Sequence, residues 1–269
     1  MIDAHLHLWD PAVLPYPWLS GRLDRAFRPA DLDTGGRQLT AAVFIEAGVR
    51  ADRALDEVAW VESLAREWPV LAGIVAQAPL DRGEAAGPVL RELAARPLVK
   101  GVRHNLQGAR VGAPLTEEHL TGVRLLAGLG LSADLTIDAA QLPEVTELAR
   151  IVPEVTFVLD HVGNPRFGPA ERQPWADRLA RLAERPNVVV KLSGLTGADP
   201  GLIHDRLTHA VAVFGADRCL FGGDWPVSPS YASWAETVAG VADLDVLAGT
   251  ARRVYRLASS SAQSSPGIG

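Results

Sequence analysis

The chain has 269 residues, 48% of them hydrophobic, and a formal net charge of −6. That length suits one large domain with a sizeable core. The acidic balance argues against nucleic acid or an anionic membrane surface as the main partner, and no apolar run reaches membrane-spanning length.

Short apolar runs alternate with helical patterns. The first run, IDAHLHL (2–8), places Asp3, His5 and His7 on one face of a strand and Ile2, Ala4, Leu6 and Leu8 on the other. The patterned sequence starts at Ile2, so no signal peptide is expected. Residues 9–40 contain Pro11, Pro15, Pro17, Pro29, Gly35 and Gly36 and no helical period. They predict a long loop that either holds Trp9, Tyr16 and Trp18 over a mouth for function or plugs it. A second strand follows at 41–47. The helix over 51–68 has Leu55, Val58, Ala59, Glu62 and Leu64 on a 3–4 repeat. A strand at 70–78 leads to a weaker helical stretch, 84–96, starting at Pro88. The strand 98–106 precedes a helix over 116–130, with Thr116 as N-cap and Gly130 as stop. Strands at 131–138, 155–161, 187–194 and 218–226 alternate with helices at 142–151, 174–185 and 200–215; helices at 231–241 and 244–257 close the series. Eight such units predict an α/β chain forming a single (β/α)₈ TIM barrel over 1–257. The small polar residues of 258–269 predict a disordered tail.

Barrel active sites lie at the C-terminal ends of the strands. There the sequence places His5, His7, Glu46, Gln77, Arg103, His104, Asp134, Asp138, Asp160, His161, Lys191, Ser193, Asp224 and Trp225. His119, His204 and His209 fall in predicted helices, where structural roles are the default. Two imidazoles on one face can bind a metal or a bound oxygen, or satisfy each other as a buried pair. Asp224 follows Gly222-Gly223 and precedes Trp225-Pro226, which holds its carboxylate at the mouth as base, acid or metal ligand. Strict alternation lets only one of Arg103 and His104 face inward. Among 26 basic residues only Lys100 and Lys191 are lysine. Lys191 either reaches the mouth or neutralises a buried acid such as Asp160 or Glu46, and Glu46 is equally open between substrate and ion pair. Cys219 is the only cysteine, so no internal disulfide can form and a reducing, cytoplasmic setting is expected.

The segments IDAHLHLWD, YPWL, GVRHNLQG, LDHVGNP, VVVKLSGL, FGGDWPV and ARRVYRL, in order over nearly the whole chain, resemble the amidohydrolase superfamily. Within it they resemble the lactonase branch of fuconolactonase-, rhamnonolactonase- and pyrone-dicarboxylate-lactonase-like proteins. The resemblance implies hydrolysis of a cyclic ester of a sugar acid or related carboxylic acid. Asp224 would shuttle the proton, and His5, His7 and His161 would polarise the carbonyl. Arg103 or His104 would hold substrate, with Glu46 and Lys191 as further contacts and Trp9, Trp18 and Trp225 stacking on the ring. Strand five, LSADLTID, lacks the histidine that fully metal-dependent members carry. The implied cofactor is therefore none obligatory, or one zinc or manganese ion on His5, His7 and Asp224, with His161 as a further candidate ligand. Gly223 stands where the family commonly has serine, and Glu46 where it commonly has glutamine. The expected partner is a small-molecule substrate, with the chain a monomer or homodimer. A metal-dependent decarboxylase of an aromatic or muconate-type acid, and a barrel that binds a sugar acid without turnover, are the alternatives.

Overall fold

The fold is taken from a computed structural model that describes residues 1–228 and 230–258. The tail expected at 258–269 lies, from residue 259 onward, outside the described residues. The eight apolar runs form parallel strands: β1 (Ile2–Leu6), β2 (Ala41–Ile45), β3 (Leu71–Gln77), β4 (Val99–Arg103), β5 (Ser132–Leu135), β6 (Phe157–Leu159), β7 (Val188–Leu192) and β8 (Cys219–Phe221). They pair in chain order from β1 to β8. A parallel bridge between Leu6 and Trp225 closes the sheet into a barrel, with His7 N donating to Trp225 O at 2.8 Å and Asp224 N to His5 O at 2.7 Å.

Helices α1 (Ala54–Glu67), α2 (Gly87–Ala94), α3 (Glu117–Leu129), α4 (Leu142–Ile151), α5 (Arg172–Ala183) and α6 (Pro200–Phe214) connect β2 through β8, and α7 (Tyr231–Ala239) and α8 (Leu244–Val254) follow β8. Between β1 and β2 there is a loop with two short 3₁₀ turns, as the prolines foretold. Thr116 caps α3 by accepting from His119 N, and Gly130 ends it at φ 64. In α1 the buried stripe is Glu57, Val58, Val61 and Leu64, rotated from the expected one because the Glu57 carboxylate turns inward to accept Ala47 N at 3.2 Å. Among the described residues no helix is long and apolar enough to cross a membrane.

Strand alternation sorts the core into two layers. Phe44, Val102, Phe157, Val190 and Phe221 pack outward under the helices. Val43, Val75, Val158, Val189 and Leu220 pack on the other face, with Tyr255 and Leu257. Fully burying each such side chain contributes about 1.5–3 kcal/mol. On that inner face, Asp160 lies two residues beyond Val158 and Lys191 two beyond Val189. The barrel interior is thus apolar at its base and charged toward the strand C-termini, which is where a polar site is built.

Candidate active site

Four of the expected side chains meet at the mouth. His5 Nε2 and His7 Nε2 stand 3.1 Å apart. Asp224 Oδ1 is 3.6 Å from each and 4.0 Å from His161 Nε2. His5 and His7 turn inward as expected, but β1 does not alternate strictly: Ile2 and Ala4, expected under the helices, pack on the inner face, Asp3 lies beside Tyr231 of α7, and the register shifts between Asp3 and Leu6. β8 can approach β1 because Gly222 has no side chain; a Cβ there would lie 2.6 Å from His5 Cβ. Asp3 ties the same two strands, its Oδ1 accepting His5 N and Gly223 N, both at 2.9 Å. Burial pushes its carboxyl up to about 6 against those two hydrogen bonds. At residue 223 a Cβ would lie 2.3 Å from the Tyr231 ring, so the glycine found in place of the family's serine makes room for that tyrosine.

His161 and Asp224 both occupy the left-handed backbone region, at φ 53 and φ 51. Non-glycine residues are uncommon there and cluster at functional sites. Gly194, at φ 68, lets the imidazole lie against the β7 loop; a Cβ there would be 2.2 Å from His161 Nδ1. Ser193 Oγ pairs with that Nδ1 at 2.9 Å. Ser228 Oγ donates to Asp224 Oδ2 at 2.8 Å, which fixes one carboxylate oxygen and leaves Oδ1 facing the imidazoles.

The hydrogen bonds decide the tautomers. His7 Nδ1 is 2.9 Å from Ile45 O, a carbonyl that can only accept, so Nδ1 carries the proton. His5 Nδ1 faces the Asp160 carboxylate at 3.3 Å, whose negative charge favours the proton on that nitrogen. Burial lowers the pKa of both His5 and His161, so both are neutral at neutral pH. The Asp224 carboxyl is held well below the usual range: burial raises it, but positive charge on His161 and His5 and a hydrogen bond from His7 outweigh burial, so its ionised form calls for cationic character at the point where these side chains meet. The Nε2 atoms of His5 and His7 and the Oδ1 of Asp224 therefore converge on one point. A proton shared between the nitrogens or a metal ion at that point relieves the arrangement. His5, His161 and Asp224 each offer a ligand atom, all within 4.8 Å of one another. The 3.1 Å between the His5 and His7 nitrogens is close to the roughly 3.3 Å separating two nitrogens on one tetrahedral zinc. The donor set fits a divalent metal.

Beneath these groups runs a buried charge network. Lys191 Nζ lies 2.5 Å from Asp134 Oδ2 and 2.9 Å from Asp160 Oδ1. Tyr255 Oη donates to Asp134 Oδ2 at 2.6 Å. Arg103 donates from Nε to Glu46 Oε1 at 2.7 Å, from Nη2 to Glu46 O at 2.7 Å, and from Nη1 to Asp160 Oδ2 and Thr136 Oγ1 at 3.2 Å. Lys191 therefore neutralises buried acids and does not reach the mouth, contrary to its expected place among the substrate contacts. Its ammonium adds a charge partner to Asp134, which Tyr255 also serves, and to Asp160, which Arg103 also serves. Glu46 is likewise an ion-pair partner, and it compensates most of the charge Arg103 would show a ligand.

The mouth cavity, about 360 Å³, is lined by His7, Trp18, Arg103, Thr136, His161 and Asp224 together with the carboxamides Asn105, Gln107 and Asn164. Of the three tryptophans expected to stack on substrate, Trp18 alone lines it. Trp18 Nε1 is spent on Ala47 O at 2.7 Å, leaving the ring 41% exposed. Trp9 is fully buried against Trp18 and Phe27, with Nε1 bonded to Leu23 O and Arg25 O, so it holds the long loop together. Trp225 packs on Phe27. His104 faces away from Arg103, as alternation requires, into a neighbouring cavity with Gln77 and Asp81. Sequence reasoning missed the carboxamides, Thr136, Gly194 and Ser228: Asn105, Thr136 and Gly194 fell at the ends of predicted strands that stop earlier in the structure, and the others sit in loops without periodic pattern. The GNP following His161 was the one signal pointing toward Asn164.

The amidohydrolase family description matches residues 2–257. The L-fucono-1,5-lactonase of Burkholderia multivorans is 32% identical over 289 residues, covering 95% of this chain and 96% of that protein. A crystal structure of an amidohydrolase from Burkholderia multivorans with bound zinc superimposes at TM-score 0.81 and 28% identity, covering 96% of this chain and 99% of that one. The 5-carboxyvanillate decarboxylase of Sphingomonas paucimobilis, at 14% identity and TM-score 0.64 over 96% of this chain and 99% of that one, shares the fold.

Proposed function

Because the chain belongs to the amidohydrolase family, we propose that it hydrolyses a neutral sugar-acid lactone at the mouth of the barrel. The observation that supports this most is the free Asp224 Oδ1, held 3.6 Å from the His5 and His7 Nε2 atoms at the wall of a cavity rich in carboxamides. The lactonase of Burkholderia multivorans lends the substrate class, and the zinc of the related structure lends the metal.

His5, His161 and Asp224, joined by His7, would hold one divalent ion; bound there, it would polarise the lactone carbonyl and acidify water. The protein groups do the rest. Asp224 accepts the proton of the attacking water at Oδ1 while Ser228 keeps Oδ2 in place, and it returns that proton to the ring oxygen as the ester opens. Asp160 keeps the proton of His5 on Nδ1, and Ile45 O does the same for His7, so both Nε2 atoms face the reaction as electron-pair donors. In this tautomer Nε2 has no proton to give a substrate oxygen, which argues against a direct role for His5 and His7 in holding the carbonyl. Asn105, Gln107, Asn164 and Thr136 offer donors and acceptors for ring hydroxyls, and Trp18 offers an apolar face.

Arg103 is the one guanidinium of this wall among the described residues, and two carboxylates already engage it. An acidic lactone, or the carboxylate of an aromatic acid awaiting decarboxylation, would find no free cation, which favours neutral lactones over both. The test is a panel of neutral aldonolactones, a pyrone dicarboxylate and aromatic acids, followed by pH indicator and by carbon dioxide release, before and after chelation and metal return. Hydrolysis of neutral aldonolactones, lost on chelation and restored by zinc or manganese, is expected. Carbon dioxide release without lactone opening would reverse the assignment.

A further inference from the structure

Beside the mouth lies a second, larger cavity of about 670 Å³, between the loops that follow β2, β3 and β4. The two cavities share Asn105, and Glu46 in the second wall is bonded to Arg103 in the first. Both volumes lie within the range of small-molecule sites, about 300–1,000 Å³. The chemistry described above uses only the smaller one.

The second wall has a definite character. Gln77 Oε1 and His104 Nδ1 are buried there without a hydrogen-bond partner, and a buried polar atom left unsatisfied is costly unless something completes it. The charges are largely matched already. Asp52 is paired with Arg50 at 2.6 Å and Glu46 with Arg103 at 2.7 Å, while Asp81 lies 3.9 Å from His104 and shares the wall with Arg82. Ala51, Ala54, Ala78 and Pro79 supply apolar patches. A wall of unpartnered polar atoms, both donors and acceptors, with little net charge suits neither an anion nor a strong cation. It suits a neutral ring whose hydroxyls donate to the acceptors and whose C–H faces rest on alanine and proline.

We infer that this cavity is a second sugar subsite, so that the enzyme takes aldonolactones extended by a further glycosidic ring, with the lactone at Asp224 and the extension over Gln77 and His104. The inference rests on the lactonase reading and adds to it a second position. Steady-state kinetics on a set of monosaccharide aldonolactones and their disaccharide homologues tests it, with wild type, Ala51→Trp and Gln77→Leu. Ala51 is exposed, so the indole fills the cavity without entering the core. Wild type is expected to hydrolyse an extended lactone at least as efficiently as its single-ring counterpart. Ala51→Trp should lower kcat/KM for the extended lactone about tenfold and leave the single-ring value unchanged; Gln77→Leu should raise KM for the extended lactone. Turnover of single-ring but not extended lactones, or equal losses on both in Ala51→Trp, overturns the second subsite alone. Turnover of no lactone overturns the active-site reading along with it.

Discussion

Replacing Lys191 by methionine keeps the length of the stem and removes the ammonium from the middle of the barrel. Nζ stands 2.5 Å from Asp134 and 2.9 Å from Asp160, and all three side chains are inaccessible to solvent. Removing one partner of a buried ion pair costs about 3–5 kcal/mol, because the other charge is left uncompensated. Here two carboxylates lose the same cation. Arg103 Nη1, at 3.2 Å from Asp160, and Tyr255 Oη, at 2.6 Å from Asp134, still serve them, which places the loss at about 4 kcal/mol. For a chain of this size that corresponds to a fall in Tm of roughly 8–16 °C. The loss also has a pH signature. Burial raises the Asp134 carboxyl even with Lys191 in place, and without the ammonium it rises further. A carboxyl raised above its unfolded value contributes stability below the unfolded pKa and loses it as pH rises through the folded one. The deficit of Lys191→Met should therefore be larger at pH 8 than at pH 5. Urea unfolding at both pH values, followed by circular dichroism, measures it, and adding Asp134→Asn should recover part of the loss. A cost under about 1 kcal/mol, the value of an exposed ion pair, would refute the buried network as the reason for this lysine.

Three further substitutions probe other parts of the account. Gly194→Ala forces a Cβ to within 2.2 Å of His161 Nδ1 at a φ of 68; kcat should fall on the order of 10²-fold through the displaced imidazole, with about 1–2 kcal/mol of stability lost, and an unchanged kcat would remove Gly194 from the site. Burial, reinforced by the charge of Glu46, pushes the Glu57 carboxyl up to about 8 from 4.5. Wild type should therefore lose stability between those pH values with a slope on the order of 1.4 kcal/mol per pH unit, a slope that Glu57→Gln should lack in urea unfolding across pH 4.5–9. Glu46→Gln frees Arg103 from one of its two carboxylates and should raise kcat/KM for acidic lactones relative to neutral ones by about tenfold; an unaltered substrate profile would show that the guanidinium never faced the ligand.

The barrel was legible because its signals are repetitive. Eight apolar runs, separated by helical periods from the second run onward, leave few other folds, and the loop after β1 betrayed itself by proline. The strands are shorter than the runs that announced them: β6 ends at Leu159 and β8 at Phe221, because Asp160–His161 and Gly222–Asp224 bend into the mouth. His5, His7, His161 and Asp224 could be found from their places at strand ends. The partners of Lys191 could be guessed only in part, since choosing among Asp134, Asp160 and Glu46 depends on register around the barrel rather than on any local pattern. The burial of Glu57 had no signal in the sequence, because nothing in α1 reveals that Ala47 N awaits its carboxyl group. Trp9 looked like a stacking platform, and only three dimensions show Phe27 and two carbonyls closing around it. Asn105, Gln107 and Asn164 lie in irregular loops, where one sequence gives no means of telling a ligand contact from a turn residue.

The central claim is that Asp224 moves the proton while the neutral imidazoles around it carry a divalent cation. The direct measurement compares wild type with Asp224→Asn on the best neutral aldonolactone, with metal content determined on both. The account predicts near one equivalent of divalent metal in wild type and a fall in kcat of about 10²–10⁴-fold in Asp224→Asn, whether or not the variant retains metal. Near-wild-type hydrolysis by Asp224→Asn would contradict it.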